Sequence, residues 1–180
     1  MNAFAELWRA LVGWLDLLTA QLKAAEKFNL SRIGLVNAIG FYVVSVLLAV
    51  AMLGVAAGYV PGWLQVAISL GFNLVLMLAI VLAAWGTARL MRADALAIAV
   101  PGVYALGIVQ VLSLPLIYAQ SDAGALALLG VRGFMFYRAA REVGKLSLGV
   151  SVAFAILCIV LLAAIPFGLY MLTTGGQGIG

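Results

Sequence analysis

The chain is 180 residues long, 67% hydrophobic and 9% charged, with a net charge of +4 and no histidine. A soluble domain carries about 25% charged residues, so a water-soluble globule is excluded, and with it nucleic-acid binding through a clustered basic face. The missing histidine removes the commonest metal and haem ligand and the usual general base, so no cofactor, no metal and no catalytic residue is expected.

Residues 1–30 are predicted to form an amphipathic interfacial helix. Phe4, Leu7, Trp8, Leu11, Leu15, Leu18 and Leu22 recur at three- and four-residue steps, which stacks them on one helical face. Glu6, Arg9, Asp16 and Lys23 fall on the opposite face. Trp8 and Trp14 suit the headgroup region, where an indole is half wet. Such a helix lies flat in the inner interface with its stripe in lipid; the same stripe could instead dock on another helix. The segment carries acidic residues among its basic ones and lacks the compact apolar core of a secretory signal. Asn29 and Ser31 offer breaks or caps before the first span.

Residues 31–172 are predicted to be an all-α polytopic bundle of five transmembrane helices, at about 33–59, 63–87, 96–118, 120–139 and 146–172. Gly54 and Gly58 stand four apart in the first, the spacing of a helix-packing seam. Pro61 and Gly62 make a tight turn, and Trp63 and Trp85 sit near the two ends of the second span as interfacial anchors. Arg89, Arg92 and Asp94 form a basic loop. In the third span Pro101 either kinks the helix or marks its true start, and Pro115 bends its far end. The fourth span starts near Gln120, is the shortest, and contains Arg132. The lone cysteine, Cys158, lies inside the last apolar run as a small apolar filler. The glycine-rich tail, residues 173–180, is expected to be mobile.

Lys and Arg alternate across these spans. Arg9, Lys23, Lys27 and Arg32 precede the first, Arg89 and Arg92 follow the second, and Arg138, Arg141 and Lys145 separate the last two. The connections around Pro61 and Gln120 carry neither. Because positive flanks stay cytoplasmic, the amino end is expected inside and the carboxyl end outside, in a bacterial inner membrane.

Arg132 is the sharpest candidate for a site, since an intramembrane charge costs about 2.5–3.5 kcal/mol at mid-bilayer. It precedes Arg138 by about 9 Å of helix rise, so three readings stand: a guanidinium snorkelling to inner headgroups, an internal pair, or a substrate or ion site. Arg138, Arg141 and Lys145, with Trp8 and Trp14, are candidate contacts for anionic phospholipids or a partner. Asn37, Gln65, Asn73 and Gln110 are polar at span positions; they serve as helix–helix glue unless several converge on a path. No carboxylate sits deep in a predicted span, which speaks against a proton- or sodium-coupled carrier.

The run Ala95-Leu-Ala-Ile-Ala-Val-Pro-Gly-Val-Tyr104 after a basic loop, Pro115, the stretch Gly130-Val-Arg-Gly-Phe-Met-Phe-Tyr-Arg138 and a final apolar span resemble the Yip family of small polytopic membrane proteins, bacterial type. The resemblance implies five spans with a cytoplasmic amino end. Eukaryotic members carry a long cytoplasmic segment and interact with Rab GTPases; here a short amphipathic helix stands in its place, and no functional residue is carried over. The expected function is that of a scaffold or accessory subunit of a larger membrane assembly, with a membrane-protein partner or a second copy of the chain. The alternatives are a small transporter or channel component, with Gln110, Asn73 and Arg132 lining a path, or a lipid-organising, membrane-shaping protein.

Overall fold

A computed structural model describes residues 3–19, 24–119 and 122–174. Leu22 and Lys23 of the amino-terminal pattern, the Gln120 break and the tail beyond residue 174 lie outside the described residues. The described chain is all-α, with no strand among its residues. Its helices are α1 (Ala3–Leu18), α2 (Arg32–Ala56), α3 (Trp63–Met91), α4 (Ala95–Leu112), α5 (Leu114–Ala119), α6 (Asp122–Arg138) and α7 (Leu148–Thr174). A 3₁₀ turn, Ala24–Lys27, follows α1, and a π-helical turn, Ala139–Val143, prolongs α6.

Among the described residues, four helical stretches are long and apolar enough to cross a membrane: Arg32–Ala56, Trp63–Met91, Ala95–Leu116 and Leu148–Met171. Local chemistry sets their ends. Ser31 Oγ accepts from the Gly34 amide at 3.2 Å and caps α2. Asp94 Oδ1 accepts from the Leu96 amide at 2.9 Å and caps α4. Helix α4 therefore starts at Ala95, and Pro101 lies inside it rather than at its start. Helix α3 runs past the end of its apolar stretch at Thr87 because nothing there breaks a helix; Arg92, in the left-handed region at φ 54°, closes it. Helix α6 has 17 residues, about 25 Å of rise.

Helix α4 is the axis of the bundle. In its membrane-length stretch 67% of residues are buried, against 17–33% in the other three. It packs on α1, α2, α3, α6 and the π-helical turn, while α7 bridges α3 and α6. Small residues let the neighbours close in. A methyl group on Gly107 would stand 2.7 Å from the Phe41 ring of α2, and one on Gly144 would stand 2.7 Å from Ile98 Cγ1. Phe136 and Phe154 meet edge-to-face at 6.4 Å between α6 and α7.

Helix α1 is docked, but not by the face its hydrophobic pattern marks. Glu6, Ala10, Gly13, Trp14, Asp16 and Leu17 are buried, whereas Phe4, Trp8, Leu15 and Leu18 of the apolar stripe are exposed. Glu6 and Asp16, expected opposite the stripe, turn inward to partners. Glu6 accepts from Asn29 Nδ2 at 3.1 Å and from Asn37 Nδ2 at 2.7 Å, and Asp16 pairs with Lys27. These bonds, with the small residues Ala10 and Gly13 at the contact, hold this face of α1 inward.

Candidate functional site

Helices α2, α3, α4 and α6 line an open cavity of about 370 Å³ in the half of the bundle nearest the α2–α3 turn. Val46, Ala49, Val50 and Leu53 of α2 form an apolar wall. The rest of the lining is polar: Ser69 and Asn73 from α3, Gln110 and Ser113 at the end of α4, and Arg132 from α6. Ser69 and Asn73 are four apart, and Gln110 and Ser113 three apart, so each pair shares one helix face.

Two of these side chains are already committed. Asn73 Nδ2 donates to the Ser69 carbonyl at 2.9 Å, and Asn73 Oδ1 lies 3.1 Å from the Tyr42 hydroxyl, which donates to it. Ser113 Oγ donates to the Gln110 carbonyl at 2.6 Å. Arg132 is different. Its Nε is buried and has no hydrogen-bond partner, and among the described residues no hydrogen bond or ion pair involves its guanidinium. The ion pairs Asp16–Lys27 and Arg138–Glu142 lie outside the lining, and among the described residues no carboxylate lines the cavity.

Arg132 is the α6 residue that lines this cavity. Arg138, expected against lipid, is an internal clasp: its Nε donates to the Leu17 carbonyl at 2.9 Å and its Nη1 lies 3.3 Å from Glu142 Oε1. Arg141 Nη1 donates to the Leu146 carbonyl at 2.8 Å, and both Arg141 and Lys145 are exposed. Trp8 is 63% exposed, but Trp14 is buried and meets Phe28 edge-to-face at 6.0 Å; packing under α1 takes the place of a headgroup role. Gly54 and Gly58 serve the α2–α3 turn rather than a helix seam. A methyl on Gly54 would stand 2.5 Å from the Pro61 ring, and Gly58 takes φ +73° with open space around it.

Of the polar residues at span positions, Asn73 and Gln110 reach the cavity. Asn37 bonds Glu6 instead, and Gln65 donates to the Tyr59 hydroxyl at 2.6 Å near the turn. Sequence reasoning missed Ser69, Ser113 and Tyr42; the spacings Ser69–Asn73 and Gln110–Ser113 inside apolar runs are the signal that could have found them. No known protein family, curated protein or solved structure matches the chain.

Proposed function

We propose that this chain is a non-enzymatic integral membrane protein of five spans whose bundle holds a solute in the Arg132 cavity, acting as a small transporter or channel component. The supporting observation is the convergence of Asn73, Gln110 and Arg132, from three different helices, on one cavity. In this reading α6 is the additional span, the amino end is cytoplasmic in a bacterial inner membrane, and the Yip-like organisation belongs to the same proposal. Solute flux into proteoliposomes of the purified chain tests it. Flux that Arg132→Ala alters is expected; no flux across a broad panel of charged and neutral solutes would remove the reading.

A second reading, an accessory subunit or scaffold, is favoured by α1. Its docked face leaves Phe4, Trp8, Leu15 and Leu18 exposed as an apolar stripe, which serves equally against lipid or against a partner helix. Gentle extraction of native membranes followed by mass spectrometry tests that reading: a constant co-purifying membrane protein supports it, and an isolated monomer in several detergents opposes it.

A further inference from the structure

We infer that the ligand group held by the Arg132 cavity is an oxyanion, a phosphate or carboxylate group presented either by a small free solute or by an anionic lipid headgroup. This inference rests on the reading of the cavity as a ligand site and names what that site takes.

The argument is one of charge and of donor supply. A guanidinium carries five N–H donors, no acceptor, and a charge that is never given up in proteins. Among the described residues no carboxylate lines the cavity it enters, and its Nε is buried without a partner. The carboxyl end of α4, where Ser113 sits, supplies the negative end of a helix dipole, but that is worth roughly half a charge. No carbonyl of that end accepts from Arg132. A charge so placed is compensated by an anion brought from outside the chain.

The neutral groups fit the same sign. Asn73 and Ser113 have donated to backbone carbonyls and hold the wall in shape. The side chains of Gln110 and Ser69 have no such bond, so the Gln110 amide and the Ser69 hydroxyl remain free to donate beside Arg132. A cation would find an unpaired arginine and, among the described residues, no carboxylate. A purely apolar ligand would leave the guanidinium unsolvated. Oxyanions match the planar fork of arginine in bidentate geometry, and the apolar wall of Val46, Ala49, Val50 and Leu53 lowers the local dielectric that would otherwise weaken the pair. At about 370 Å³ the cavity has space for such a group together with water, since one water needs roughly 10–15 Å³.

The test uses the full chain purified in a neutral detergent, with unfolding followed by tryptophan fluorescence. Sodium phosphate and sodium acetate are titrated against sodium chloride at matched ionic strength. Vesicles of phosphatidylglycerol are compared with vesicles of phosphatidylcholine. The unfolding midpoint is expected to rise with oxyanion concentration and not with chloride. Arg132→Gln abolishes the rise. Arg132→Lys keeps the charge but loses the fork, and binds about tenfold more weakly, the equivalent of one hydrogen bond. Arg132→Gln is expected to unfold, without ligand, no earlier than the parent, because it removes an unpaired charge. A rise with phosphate or acetate assigns a free solute; a rise with phosphatidylglycerol alone, lost in Arg132→Gln, assigns a headgroup. No Arg132-dependent rise with any of them overturns the oxyanion. If neutral solutes still cross proteoliposomes in that case, the solute reading survives alone; if nothing crosses, both fall.

Discussion

Glu6 on α1 accepts a hydrogen bond from Asn37 on α2 at 2.7 Å, and with Asn29 at 3.1 Å it fixes the docked face of the amino-terminal helix. Glu6 is 4% exposed, so a lost partner is not replaced freely by water. Asn37→Leu is expected to lower stability by about 1–3 kcal/mol, the penalty for leaving a buried acceptor short of a bond. Removing both members is milder than removing one. The pair Glu6→Leu/Asn37→Leu should therefore unfold at a higher temperature than Asn37→Leu alone; a double variant that loses the sum of the two single losses would contradict the pairing.

Arg138 holds the other end of α1. Its bond to the Leu17 carbonyl joins residues 121 apart in sequence, and a charge-assisted bond of this kind is worth about 1.5–3 kcal/mol. Arg138→Gln is expected to speed amide hydrogen exchange across residues 3–19 by at least about tenfold, leaving α3 and α4 unchanged. Equal exchange in the two proteins would show that α1 is held by its other contacts.

Gly107 sets the distance between α4 and α2. Its added methyl would meet the Phe41 ring at 2.7 Å, whereas Gly40 has nothing within 4 Å. Gly107→Ala is expected to destabilise by about 1–3 kcal/mol through overpacking. Gly40→Ala should stabilise by about 0.5–1 kcal/mol through helix propensity. Thermal unfolding of both variants checks the contrast, and Phe41→Leu added to Gly107→Ala should recover part of the loss.

The two tryptophans of α1 are predicted to behave oppositely. With Trp63 and Trp85 changed to Phe, a variant keeping only Trp8 should be quenched strongly by brominated lipid. A variant keeping only Trp14, buried against Phe28, should resist it. Equal quenching would contradict the orientation of α1.

The four helices long enough to cross a membrane were readable because they are apolar runs, and the run is the signal. Pro101 left two starts open for the third span, and the Asp94 cap, a local bond to Leu96, decides between them. The rotation of α1 was not readable. The stripe of Phe4, Trp8, Leu15 and Leu18 left open whether it meets lipid or another helix, while Glu6 and Asp16 dock through Asn29, Asn37 and Lys27, distant partners that no local pattern names. Arg132 was readable as an unusual residue, but its place in the cavity lining depends on how α2, α3 and α4 pack around α6. Asn73 and Gln110 were visible singly, and their meeting depends on how α3 and α4 rotate, which apolar runs of this uniformity leave open.

Arg132 is an intramembrane charge only if α6 crosses the bilayer, and in that case the two chain ends face opposite sides. The direct measurement is a pair of reporters, green fluorescent protein and alkaline phosphatase, fused in turn ahead of Met1 and behind Gly180. Fluorescence at the amino end with phosphatase activity at the carboxyl end is the predicted result. Fluorescence at both ends would place α6 outside the bilayer and contradict the five-span arrangement.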